Sequence, residues 1–213
     1  MCALAARLLI LLPALALSTA LAAQGSVSCN EPLEIKSESF SLDNSGNKNL
    51  THFLRPTIKQ CNLEIRADDA FSSGVDFGVS SEWRFVGHVR ITIAGNTMEA
   101  DSAVFTFDKS QLARAELAGA PASFSVARAE SGKQPAHGTA TKISFDNVAQ
   151  KLRMSEGVVV DQDRYHVQGC DVIYDLKNEG LEAGPTDCGV EAYRIRILPA
   201  PPQARAAPPA PAP

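Results

Sequence analysis

The sequence predicts an all-β protein: a stack of short antiparallel strands built from repeated strand-turn-strand rungs. Three observations predict it. A short phrase recurs, most clearly as Ile65-Arg66-Ala67-Asp68 and Met98-Glu99-Ala100-Asp101, more loosely as Ile35-Lys36-Ser37-Glu38, Ala136-His137-Gly138-Thr139 and Val167-Gln168-Gly169-Cys170. The copies end at 38, 68, 101, 139 and 170, and spacings within roughly 20 to 50 residues mark stacked supersecondary units. The phrase is followed by a short alternating run ending in Asp, as in Phe40 to Asp43, Val104 to Asp108, Ile143 to Asp146 and Ile173 to Asp175. Asp starts turns because its side chain hydrogen-bonds the backbone just ahead of it. Finally, no long amphipathic helix pattern appears, and period-two alternation dominates.

Taken in order, residues 33 to 42 form the first strand and Asp43 to Asn47 a turn cluster. A second strand near 52 to 61 breaks at Arg55-Pro56, because proline removes a ladder donor and belongs at an edge or bulge. Residues 72 to 81 are a glycine-rich loop or irregular strand. From Trp83 the alternation is plain: Trp83 and Phe85, then Val89, Ile91 and Ile93, face one side, with Arg90 and Thr92 on the other. Ala94 to Asn96 turns the chain, Met98 to Asp108 returns, and Lys109-Ser110 turns again. Gln111 to Gly119 has helix-favouring composition, yet its position in the repeat predicts a strand. Further strands follow at 121 to 127, 139 to 146, 152 to 160, 165 to 167, 172 to 175 and 193 to 198, with a polar loop over 130 to 135. Residues 199 to 213 hold seven of the thirteen prolines and a single charge, a composition that cannot build a core and predicts a disordered tail. One folded domain, 31 to 198, is expected.

The N-terminus reads as an export signal. Arg7 precedes the apolar run Leu8 to Leu17, and small residues at Ala20 and Ala22 place cleavage after residue 22. An uncleaved anchor is the rival reading, but Pro13 interrupts a run short of the about 20 apolar residues a spanning helix needs. The formal charge is −4, and −5 once Arg7 is removed, which points away from nucleic acid. Four cysteines remain, Cys29, Cys61, Cys170 and Cys188, and an even count in an exported chain predicts disulfides. Cys29 and Cys61 hold similar places before successive phrases, which favours Cys29–Cys61 with Cys170–Cys188, although four cysteines allow three pairings. A metal site at His166 and Cys170 is the competing reading, without any C-x-x-C to support it.

Catalysis is not expected. His52, His88, His137 and His166 are scattered, and no H-x-x-x-H, G-x-S-x-G or glycine-rich phosphate loop is present. The recurring Asp43, Asp108, Asp146 and Asp175 occupy one turn position each, so turn formation accounts for them without a catalytic or calcium role. No cofactor and no metal are predicted.

Five fragments stand in the order and spacing of the LptA/OstA-like family: Phe85 to Ile91 (FVGHVRI), Met98 to Asp101 (MEAD), Gly119 to Phe124 (GAPASF), Gly132 to Ala140 (GKQPAHGTA) and Ser155 to Val160 (SEGVVV). The chain resembles that family over residues 31 to 190. It departs at residues 44 to 82, at His88, where the family usually has Asn, and in its cysteines and tail. The resemblance implies a twisted, open antiparallel β-jellyroll, or β-taco, whose apolar groove shelters the acyl chains of lipopolysaccharide. It implies a non-catalytic periplasmic carrier that bridges inner and outer membranes by joining membrane-anchored and outer-membrane components through edge strands, or further copies of itself head to tail. The implied groove residues are the inward set Ile35, Ile65, Phe85, Val89, Ile91, Met98, Phe105, Phe107, Phe124, Val126, Ile143, Phe145, Val158, Val160 and Val167; Trp83 and Ile195 share their face. Periodicity alone reads the same residues as a closed sandwich core. Two alternatives stay open: a structural adaptor of the envelope that docks partners through its edges, and the membrane-anchored relative.

Overall fold

The alternation becomes fourteen strands in a computed structural model that describes residues 31–43, 50–73, 81–128, 133–183 and 193–199. The leader, Cys29, Cys188, the 44–49 turn cluster, most of the 72–81 loop, half of the 130–135 loop and the tail beyond Pro199 lie outside the described residues. Six short strands come first: β1 (Glu34–Lys36), β2 (Ser39–Asp43), β3 (Leu50–Leu54), β4 (Thr57–Gln60), β5 (Leu63–Arg66) and β6 (Asp69–Ser73). Six long ones follow: β7 (Ser81–Ile93), β8 (Asn96–Asp108), β9 (Gln111–Val126), β10 (Ala136–Asp146), β11 (Lys151–Gln162) and β12 (Tyr165–Asp175). β13 (Gly180–Ala183) and β14 (Arg194–Ile197) close the series. All pairings are antiparallel and form one sheet. It is the all-β stack of rungs that the repeat predicts, in the open, twisted jellyroll form that the resemblance implies.

The sheet is folded along a crease. β5 pairs with the later half of β7 while β6 pairs with its earlier half. β14 and β13 divide β12 in the same way. The register slips midway along the long strands, between Val86 and Val89, Glu99 and Ser102, Ala140 and Lys142, and Ser155 and Val158. Such bulges bend a strand and raise its twist. Each long strand therefore contributes one half to each of two facing layers. The short strands are equivalent rungs in which the crease has become a break, at Ser37-Glu38, Arg55-Pro56 and Ala67-Asp68. The first layer holds β1, β4, β5 and β14, the second β2, β3, β6 and β13, and β7 to β12 run through both.

Residues at the crease meet its backbone demands. Gly87 (φ +78°) and His88 (φ 44°), then Glu156 (φ 67°) and Gly157 (φ 65°), are successive left-handed pairs. At Gly87 a side chain is doubly excluded, since an added Cβ would also strike the Asp68 carboxylate. The Asp68 amide donates to Gly87 O at 2.9 Å, and its carboxylate meets His88 Nδ1 at 2.7 Å. That hydrogen bond and the Asp68 charge hold the His88 imidazole above its usual pKa. Along the same line Arg55 pairs with Glu38, Asp101 accepts from the Ala120 amide at 3.1 Å, and Lys142 meets Glu156 at 2.7 Å. The phrase endings at 38, 68, 101 and 170 thus mark creases, and the one at 139 lies two residues short of its crease.

Two of the described turns follow the Asp rule, while the turn after Asp108 is made with Lys109 and Ser110 both at positive φ. Asp146 accepts from the amides of Val148 and Ala149, and Asp175 from those of Lys177 and Asn178. Gln111 to Gly119 is extended as part of β9, with Leu112, Ala115 and Leu117 inward. Burial on a pleated face overrides its helix-favouring composition.

Candidate functional site

The site is the space between the two layers, and cross-strand register shows what lines it. In the first layer one row runs Ile35, Ile58, Ile65, Ile91, Met98, Phe124, Gly138, Val160, Val167, Ile195. In the second layer a facing row runs Phe40, Phe53, Ala70, Phe85, Ala103, Leu117, Ile143, Met154, Val172, Ala183. A parallel row runs Leu42, Thr51, Ser72, Trp83, Phe105, Ala115, Phe145, Leu152, Tyr174, Leu181. Nearly every position is apolar or glycine, because period-two alternation on a creased strand sends both halves' apolar residues into the fold.

The structure brings the predicted inward set together. Fourteen of its fifteen members are buried, and Ile35, beside the N-terminal edge, is half-buried. Here the space is filled: side chains from the two layers pack against one another as a core. Aromatic rings run through its N-terminal part, with Phe53 stacked on Trp83 at 5.5 Å and Phe85 against Phe105 at 4.6 Å between centroids. Phe124 lies over Gly138, where an added Cβ would come within 2.8 Å of its ring.

One member of the inward face departs from expectation. Ile195 continues the first row, yet is 61% exposed, because β14 is an edge strand with all four residues exposed. At the other end, Phe40 and Leu42 continue the second-layer rows on β2 and are 65% and 52% exposed. The apolar rows therefore run uncovered to both edges of the sheet. Phe40, Leu42 and Phe53 escaped the sequence reading because the run holding Phe40 and Leu42 is short and Phe53 follows a turn cluster.

Opposite the crease, the free margins of the two layers meet as lips. Gln60, Asn62, Leu63 and Ile93 of one lip face Gln111, Leu112 and Asn147 of the other across a gap of about 20 Å³. Towards the C-terminal end a polar clasp spans them. Arg128, just past β9, reaches Asp163 on its own lip at 2.5 Å and Glu179 on the opposite lip at 2.8 Å. Gln162 also donates across, to Glu179 O at 2.9 Å. The Arg128 side chain is only 5% exposed. Burial opposes its charge, but hydrogen bonds to Glu179 and Asp163 outweigh this and hold its pKa above the ordinary value. Below the clasp, burial pushes the Tyr174 hydroxyl's pKa up as well. No sequence signal finds this clasp, whose ion pairs join residues 35 and 51 positions apart.

Cys61 and Cys170 are both disulfide-bonded. The expected partners Cys29 and Cys188 lie outside the described residues. With Cys170 engaged, the competing metal reading loses its thiolate, and His166 instead meets Asp161 at 2.6 Å. Among the described residues no group of three or more His, Cys, Asp or Glu could hold a metal.

Residues 78–180 match the family described as "LptA/(LptD N-terminal domain) LPS transport protein". Over that stretch the chain is similar to this family. Among solved structures, the fold matches LptH, described as the LptA homologous periplasmic component of the lipopolysaccharide transport device from Pseudomonas aeruginosa. The TM-score is 0.51 at 14% identity, covering 80% of this chain and 96% of LptH. At that identity the likeness speaks for the fold. Among curated proteins none matches. The matched segment runs from just before β7 to the start of β13, so it contains all six long creased strands.

Proposed function

We propose that the protein is a non-catalytic periplasmic carrier of lipopolysaccharide, exported by a cleaved leader and working as a bridge between inner and outer membranes. The observation that carries this reading is the course of the apolar rows, which do not end inside the molecule but run out to both edges. A core made only for stability would cover its last rungs with polar residues; here Phe40, Leu42, Ile195 and Ile197 are left at the edges. Joining a similar fold at either edge would continue the rows from one molecule into the next. Acyl chains gain about 0.8 kcal/mol per CH₂ on leaving water. Neighbouring folds with like rows would hold them at nearly equal energy, so the passage needs no reaction, and its direction must be imposed by a partner. The partners proposed are membrane-anchored and outer-membrane transport components, or further copies of this chain. The groove residues are the fifteen inward side chains, which would contact lipid once the lips part.

The packed interior favours a second reading, a structural adaptor that uses the same edges with its core permanently closed. Purification from native periplasm separates the two. Lipid A co-purifying at near one molecule per chain is expected, and its absence at every salt and detergent concentration tried would leave the adaptor. Edge docking has its own test. Photo-crosslinkers at Phe40 and Ile197 should capture another envelope protein or a second copy, because unpaired strand edges take up partners by strand addition. Crosslinks formed only from mid-sheet positions such as Thr106 would count against it.

A further inference from the structure

Tyr174 is the one inward tyrosine in the rows, and among the described residues nothing pairs with its hydroxyl. The side chain is fully buried, its ring lies 6.3 Å from that of Phe124 between centroids, and the hydroxyl meets no hydrogen-bond partner. A buried hydroxyl without a partner costs stability, and phenylalanine would fill the same space without that cost. The position is special in another way. Its ladder partner Leu181 lies two residues past Glu179 at the lip, and Arg128, Glu179 and Asp163 act on the hydroxyl electrostatically. Tyr174 therefore stands at the boundary between the apolar rows and the charged clasp at the lips. A molecule whose tail lay along the rows would bring its first polar atoms to that boundary. The atoms waiting there are donors: the Tyr174 O–H, and the N–H groups of an Arg128 guanidinium whose five donors exceed its two carboxylate partners.

We propose that the Tyr174 hydroxyl is a hydrogen-bond subsite for an acceptor oxygen at the head of an acyl chain, supplied by its ester or amide carbonyl or by an adjoining phosphate. The orphan hydroxyl is then a group kept for a ligand at the expense of stability. This inference rests on the carrier reading and adds to it the polar end of the bound lipid.

The test is Tyr174→Phe in the full chain, read by two measurements expected to move in opposite senses. The melting temperature of the lipid-free variant should equal or exceed that of the wild type. Its affinity for purified hexa-acylated lipid A should fall about fivefold, the loss of one hydrogen bond. The apolar dye N-phenyl-1-naphthylamine, which has no acceptor oxygen, should bind both proteins equally. Dephosphorylated lipid A identifies the acceptor: a fivefold loss that persists assigns the bond to a carbonyl, and one that vanishes assigns it to a phosphate. A variant that melts below the wild type would mean that the hydroxyl already has a structural partner such as a water, and would overturn the subsite. Equal lipid A affinities would overturn it while leaving the carrier intact. A wild type that binds no lipid A would bring down the carrier reading and the subsite with it.

Discussion

Phe124→Asp is expected to abolish the folded state. Phe124 is 3% exposed, at the centre of the first-layer row, with its ring against Gly138 and near Tyr174. Truncating a buried aromatic ring costs about 3–5 kcal/mol. Leaving a carboxylate unpaired in an apolar interior adds several more, roughly 3–5 by analogy with broken buried pairs. A domain holds only about 5–15 kcal/mol in all. Far-ultraviolet circular dichroism at room temperature should show an unfolded chain, whereas Phe124→Leu, which keeps the row apolar, should retain the strand signal. A Phe124→Asp protein melting within a few degrees of the wild type would show that water reaches the row and that the interior is an open groove even without lipid. Because the packed interior makes this substitution a measure of stability, lipid admission has to be probed elsewhere, at the lips.

The second large effect is expected at the clasp. Arg128→Ala leaves Glu179 and Asp163 facing each other without their cation; breaking a fully buried pair costs about 3–5 kcal/mol, and with Glu179 and Asp163 19% and 37% exposed the loss here should lie below that range. Glu179→Gln is gentler: Arg128 keeps Asp163, the Gln162 bond to the 179 carbonyl survives, and only the ionic link between lips is lost. Hydrogen bonds to charged groups contribute about 1.5–3 kcal/mol. Amide exchange in the turns around Asp163 and Glu179 should therefore quicken by about tenfold or more, while amides beside the crease, near Asp68 and Gly87, keep their protection. Equal acceleration at the lips and at the crease would mean that the link supports global stability and does not specifically hold the mouth shut.

Much of this architecture is legible in the sequence, for a physical reason. Strand faces follow from alternation, so the inward set from Ile65 to Val167 could be read residue by residue, and Pro56 announced the break between β3 and β4. The recurring phrase also located the crease without revealing what it was. Bending at Gly87-His88 and Glu156-Gly157 depends on left-handed backbone conformations, which leave a trace only where glycine stands, and His88 and Glu156 carry none. Burial at the edges was misjudged for a related reason. Alternation tells which side Ile195 faces, but only the strand inventory of the opposite layer tells whether anything covers it. The clasp and the Tyr174 hydroxyl are further out of reach, because they depend on which turns meet when the sheet folds over.

The crease has a consequence for how such a molecule can vary. Among the described residues every rung pairs only with the rungs beside it in the chain, and no strand from one end reaches back to the other. Stability in such an array is close to a sum over neighbours. The fold thus has no fixed length. A hairpin of two creased strands could be inserted or deleted anywhere along the stack, and every row would close up in register provided the bends stayed in phase. Conserving the phase of the bend, rather than the number of strands, is what keeps the rows continuous from one edge to the other.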